Sequence, residues 1–73
     1  MTPYAEAVEG FARPLLLNRP DASWVVSEFP DRAGVVSLCV GLPDNKRVLE
    51  LFRGRVELDD DEMQRIKAFI KEV

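Results

Sequence analysis

The chain has 73 residues, of which 47% are hydrophobic and 32% are charged, and its formal net charge at pH 7 is −3. A chain of this length and composition forms a single folded domain, residues 1–73, rather than a disordered segment. An excess of lysine and arginine normally supplies the affinity for phosphate, so the acidic balance disfavours generic nucleic-acid binding.

The cysteine content and the hydropathy pattern favour an intracellular protein. Cys39 is the only cysteine, so no disulfide can form within the chain, whereas a secreted domain of this size usually needs several. The longest apolar run, residues 35–40, is far shorter than the ~20 residues that span a bilayer, and the N-terminus shows no signal-peptide pattern. We therefore predict a cytoplasmic protein without a membrane partner.

A first helix is predicted over residues 3–17. Thr2 can serve as its N-cap, and apolar residues recur at helical spacing. Pro14 lacks an amide hydrogen and its ring clashes with the carbonyl of Gly10, so we expect a kink or an early end near Ala12. The apolar stripe consists of Tyr4, Ala7, Val8, Phe11, Ala12 and Leu15.

Two strands are predicted next, SWVVSEF and VVSLCVGL, joined by the hairpin-length loop PDRAG. Alternation along a strand sends successive side chains to opposite faces, which places Cys39 on the face away from the core. The side chains predicted to face the core are Trp24, Val26, Val36, Leu38, Val40 and Leu42.

The segment KRVLELFRG, residues 46–54, fits two structures. As a third strand it directs Leu49 and Leu51 inward, and as a short helix it presents an apolar stripe and ends at Gly54. The strand is favoured because the preceding PDN turn has the length of a hairpin connection. VEL at residues 56–58 then reads as a further short extended piece.

The acidic run DDDE, residues 59–62, marks the start of the last helix. Asp59 and Glu62 have the spacing of a capping box, and the acids between them fall in the first turn, where the helix dipole favours negative charge. The run lacks the alternating ligands and central glycine of a calcium loop, so no metal site is predicted. The apolar stripe of this helix consists of Met63, Ile66, Phe69, Ile70 and Val73.

These elements predict an α+β fold. It has an N-terminal helix, an antiparallel sheet of three to four strands, and a C-terminal helix packed on one face of the sheet.

The sequence contains no recognisable set of catalytic residues. It has no histidine for acid–base chemistry, no nucleophile turn, no phosphate-binding loop and no Cys/His metal set, and Cys39 has no neighbouring base to activate it. We therefore predict a protein that is not an enzyme and that has no cofactor and no small-molecule substrate.

The densest positive cluster lies in residues 46–55. Its charges either protect an edge strand from pairing with other sheets, or bind an acidic protein surface, or contact RNA phosphates. Aromatic and arginine residues are enriched in binding hot spots, so an exposed tyrosine or tryptophan elsewhere is expected to anchor a partner. The candidate partner-binding residues are Lys46, Arg47, Phe52, Arg53, Arg55, Tyr4 and Trp24.

One set of segments begins at Phe11 and comprises FARPLLLNRPDA, the extended pair with its turn, SLCVGLPDNKRVL and the pair Gly54-Arg55. Together these segments resemble the small bacterial KH-type RNA-binding proteins. The resemblance covers about two thirds of the chain and implies a KH-like helix-strand-strand-helix-helix arrangement as the alternative fold. It also implies RNA-backbone binding through residues 46–55 as the alternative function. Where that family has a GxxG loop, this chain has LELFRGR with a single glycine, so the clamp is incomplete.

In size and character the chain also resembles the small phage-encoded regulators that bind bacterial RNA polymerase. The acidic net charge, the missing catalytic set and the incomplete RNA clamp point to regulation through protein binding. The predicted partner is RNA polymerase or an associated factor, and the predicted mechanism is surface competition or occlusion. RNA is the second candidate partner.

Overall fold

The computed structural model describes residues 2–28, 34–52 and 57–73, with Phe52 described by its backbone alone. The elements in chain order are α1 (Pro3–Leu16), β1 (Ser23–Glu28), β2 (Val35–Leu42), β3 (Asn45–Phe52) and α2 (Asp60–Glu72). The strands form one antiparallel sheet in the order β1-β2-β3. The predicted α+β fold is therefore confirmed, with three strands among the described residues. No helix in these described ranges is long and apolar enough to cross a membrane.

Residues 46–52 of the segment that fitted either a strand or a helix lie in the strand β3, and residues 53–54 lie outside the described part of the chain. Strand β3 pairs with β2 along its whole length, and a turn at Pro43 and Asp44 joins the two strands. The KH-like alternative is wrong, because the chain extends the sheet where that arrangement needs a helix. Of the further extended piece at residues 56–58, the first residue lies outside the described part, and the other two are not in a strand.

Helix α1 covers the predicted range to within one residue and does not stop early at Pro14. Thr2 Oγ1 accepts a hydrogen bond of 3.2 Å from the amide of the third helical residue. The helix then passes Ala12 and continues through Pro14 to Leu16, so the early end is wrong, while the kink stays a prediction. Proline removes the helical donor to the carbonyl of Gly10, and because Gly10 is exposed, water can bond that carbonyl instead.

The acidic run starts α2 through a capping box, as predicted. Asp59 Oδ1 accepts a hydrogen bond of 2.8 Å from the amide of Glu62, and Glu62 Oε1 accepts one of 3.1 Å from the amide of Asp59. Two donors at the helix start are thereby satisfied, and the neighbouring carboxylates lie in the first turn, where the dipole stabilises them.

The core lies between the two helices and one face of the sheet, which we call the near face. Trp24 and Leu42, predicted as core residues of this face, are only half-buried. The buried cluster consists of Tyr4, Ala5, Val8, Ala12, Leu16, Val26, Val36, Leu38, Val40, Leu51, Ile66 and Ile70. The opposite face, here called the far face, carries Val25, Ser27, Val35, Ser37, Cys39, Lys46, Val48 and Glu50.

The two helices lie side by side with their N-termini at the same end of the molecule. At that end, the hydroxyl of Tyr4 donates a hydrogen bond to Glu62 Oε2. At the other end, Arg19 Nη1 donates to the carbonyl of Ile70 at 3.1 Å, and its Nη2 donates to the carbonyl of Val73. Arg19 therefore caps the last turn of α2 from the loop that follows α1.

Candidate functional site

β3 divides the predicted basic segment instead of collecting it into one patch. Lys46 and Arg47 stand at the start of the strand and Phe52 is its last residue, so Lys46 and Phe52 are roughly 20 Å apart along the strand. Successive residues point to opposite faces, which places Lys46 on the far face and Arg47 on the near face. The predicted contacts Arg53 and Arg55 lie outside the described residues.

Tyr4, predicted as an exposed anchor, is fully buried, and that prediction is wrong. Its ring belongs to the core and its hydroxyl donates to Glu62 Oε2. Burial, followed by the hydrogen bond and the negative charge of Glu62, raises the pKa of Tyr4 well above its usual range. Tyr4 therefore joins the two helices and cannot meet a partner.

The structure does bring two of the predicted residues, Trp24 and Arg47, to one place. Trp24 pairs with Val40 and Val40 pairs with Arg47, so the three residues form one row across the sheet. Neighbouring strands are ~4.8 Å apart, which separates the Cα atoms of Trp24 and Arg47 by about 10 Å. Leu42 lies diagonal to both, at about 7–8 Å, within reach of long side chains. Trp24 and Leu42 are half-buried and Arg47 is exposed.

Arg13 completes this surface and was not predicted. Its guanidinium carbon lies 5.4 Å from the centroid of the Trp24 ring, which is the geometry of a cation–π contact. Its side chain stays 56% exposed, and its Nη2 lies 3.4 Å from Glu9 Oε1. We call Arg13, Trp24, Leu42 and Arg47 the sheet-end patch, because they lie where the sheet extends towards the β2–β3 turn.

The position of Arg13 follows from the direction of α1 across β1. The amide of Thr2, just before α1, donates a hydrogen bond of 2.7 Å to Glu28 Oε1 at the end of β1. The end of α1 is thereby directed towards the start of β1, where Trp24 lies. Sequence periodicity identifies the buried stripe of a helix but not which strand the helix crosses, so the pattern held no signal for this contact.

The edge of β3 is already partly occupied by side chains. Asn45 Oδ1 accepts a hydrogen bond of 2.9 Å from the amide of Lys46, and Arg65 Nη2 donates one of 3.4 Å to the carbonyl of Glu50. β3 is an outer strand of the sheet, and charged side chains together with occupied backbone groups discourage another strand from adding there. A partner is better accommodated by the side chains of the sheet faces than by this edge.

Comparison with known proteins assigns the chain to no group. No family model, curated protein or solved structure matches it. Within residues 2–28, 34–52 and 57–73, no three His, Cys, Asp or Glu side chains are placed to hold a metal ion.

Proposed function

We propose that this chain is a non-enzymatic regulatory protein that binds another protein, with a component of the bacterial transcription machinery as its target. The observation that supports protein binding is the sheet-end patch. The guanidinium group of Arg13 lies over the half-buried Trp24, and the exposed Arg47 stands in the same row of the sheet as Trp24. Tryptophan and arginine are residue types over-represented in binding hot spots. The choice of target rests on the resemblance in size and character to the phage-encoded polymerase regulators.

The patch suits a partner surface that carries carboxylates around an apolar side chain. Arg47 supplies an exposed positive charge, and the exposed part of Trp24 supplies an apolar surface beside it. Arg13 is already held against the indole ring in the free protein, so binding costs less conformational entropy than it would with a freely moving arginine. Occupation of the partner's surface by this patch would block competing ligands from the same surface.

The test is binding of the fluorescently labelled protein to purified bacterial RNA polymerase, as core enzyme and with its associated factors. Arg47→Glu is expected to weaken binding at least about tenfold, because it places a carboxylate against the partner's carboxylates. Lys46→Glu is the matched control: it changes the net charge equally at the adjacent residue, which points to the other face. If Lys46→Glu weakens binding as much as Arg47→Glu does, the sheet-end patch is not the binding surface. If the protein binds neither the core enzyme nor the enzyme with its associated factors, RNA polymerase is not its target.

RNA binding is tested separately with the same labelled protein. Fluorescence anisotropy with single-stranded and structured RNA would then show an affinity that falls steeply with salt concentration. It would also be lost in the Arg53→Glu, Arg55→Glu double variant. That result would replace protein binding by the alternative function.

A further inference from the structure

We propose that Glu9 regulates the sheet-end patch as an internal competitor, because it occupies the Arg13 guanidinium that a carboxylate of the partner takes over on binding. This inference rests on the proposed function, since it concerns the same surface. In the free protein Glu9 Oε1 lies 3.4 Å from Arg13 Nη2, one helical turn before it on α1. One carboxylate of the chain itself is therefore already placed against the patch.

The position of Arg13 makes its guanidinium part of any contact with the patch. Its guanidinium carbon lies 5.4 Å from the centroid of the Trp24 ring, and Arg47 stands in the same row of the sheet as Trp24. A partner that covers the indole and reaches Arg47 also meets Arg13. A carboxylate only accepts hydrogen bonds, and its two oxygens match the planar fork of a guanidinium, so Glu9 shows the ligand chemistry that this position takes.

The contact between Glu9 and Arg13 is loose enough to be exchanged. It joins one oxygen to one nitrogen at 3.4 Å, whereas strong hydrogen bonds between charged nitrogen and carboxylate oxygen measure about 2.7–2.9 Å. The side chains of Arg13 and Glu9 are 56% and 34% exposed, so water screens the pair and can solvate Glu9 once it is released. A partner carboxylate that binds two guanidinium nitrogens side by side replaces one long contact by two shorter ones.

The strength of such ion pairs sets the size of the expected effect. An exposed pair of opposite charges four residues apart on a helix shifts an equilibrium roughly twofold. The partner has to break this pair before its own carboxylate can bind Arg13. Glu9→Gln removes the charge and keeps the shape of the side chain, so it is expected to tighten binding about twofold.

The experiment uses a probe of defined chemistry, a synthetic peptide that alternates glutamate with leucine, together with its glutamine counterpart. Trp24 is the only tryptophan, so its fluorescence during a titration reports on the patch. The wild type is expected to bind the glutamate peptide at least about tenfold more tightly than the glutamine peptide. Glu9→Gln is expected to bind the glutamate peptide about twofold more tightly than the wild type does.

Glu6→Gln is the matched control, because it removes the same charge from α1 at a greater distance from Arg13. Along the helix Glu6 and Arg13 are about 10.5 Å apart, which exceeds the Debye length of about 8 Å at about 0.15 M salt. The affinity of this variant for the glutamate peptide is therefore expected to match that of the wild type. In an Arg13→Gln background Glu9 has no guanidinium to occupy, so Glu9→Gln should no longer tighten binding.

Four results would each overturn the proposal. They are no binding of the glutamate peptide at up to about 1 mM, no gain from Glu9→Gln, an equal gain from Glu6→Gln, or a gain that persists in the Arg13→Gln background. Binding to RNA polymerase is a separate result. The expected peptide results without polymerase binding would refute the target alone, and polymerase binding through Arg47 without any effect of Glu9→Gln would refute the role of Glu9 alone.

Discussion

The hydrogen bond between Tyr4 and Glu62 joins the starts of the two helices, and Tyr4→Phe removes it while keeping the buried ring. A hydrogen bond to a charged group contributes about 1.5–3 kcal/mol to stability. Because Glu62 is only half-buried, water can bond the vacated oxygen, so we expect a loss near the lower end, about 1.5–2 kcal/mol. For a domain of this size that corresponds to a fall in Tm of about 6–16 °C.

The same bond makes stability depend on alkaline pH. Burial and the hydrogen bond to Glu62 raise the pKa of Tyr4 in the folded protein, so the folded state holds the phenolic proton more tightly than the unfolded chain. This contribution is fully present below pH ~10, the usual pKa of tyrosine, and is lost as the pH rises beyond it. Above that pH the free energy of unfolding of the wild type is expected to fall by up to about 1.4 kcal/mol per pH unit relative to that of Tyr4→Phe. The stabilities of the two proteins therefore converge.

Urea unfolding of both proteins between pH 7 and pH 11 measures the effect, with circular dichroism and the fluorescence of the single tryptophan, Trp24, as probes. Glu62→Gln is the control: it keeps an acceptor for Tyr4 and for the capping amide, so its loss should be smaller. The reasoning is refuted if Tyr4→Phe is as stable as the wild type within about 0.3 kcal/mol at pH 7, or if the difference does not shrink above pH ~10.

Three other substitutions test the local geometry through thermal and urea unfolding. Gly10→Ala should stabilise the fold by about 0.5–1 kcal/mol, because a Cβ atom at this mid-helix position meets nothing within 4 Å. Gly34→Ala should destabilise it by about 1 kcal/mol, because its φ of 83° strains any residue with a side chain. Changes of the same sign in both variants would contradict these two backbone conformations. Asp59→Ala should cost about 1 kcal/mol through loss of the cap, and Asp59→Asn should restore most of it. Ser37→Ala should be neutral or stabilising, because its buried hydroxyl has no hydrogen-bond partner among the described residues, and a loss above about 1 kcal/mol would contradict this.

The features predicted correctly from the sequence depend on residues close together in the chain. The capping box needs only Asp59 and Glu62, and the hairpin between β2 and β3 needs only its turn and the alternation on either side. Spacing alone settles such elements, because both partners fall within one turn of helix or one pair of strands.

The errors concern positions that tertiary contacts decide. Helical spacing places Tyr4 in the apolar stripe, but it does not indicate that the hydroxyl finds Glu62, which is 58 residues away in sequence, and so becomes fully buried. The continuation of α1 past Pro14 is likewise a balance between the lost hydrogen bond and the burial of Leu16, 3% exposed in the core. Sequence rules for helices describe the lost hydrogen bond at proline but not the burial of Leu16.

The split of the basic segment has a consequence for the proposed function. Lys46 and Arg47 are adjacent in sequence and carry the same charge, yet β3 points Lys46 to the far face and Arg47 to the near face in the sheet-end patch. A single charge reversal at either residue changes the net charge identically, so long-range electrostatics cannot explain a difference between them. If Arg47→Glu impairs partner binding while Lys46→Glu leaves it intact, the partner meets the near face of the sheet and not the far face.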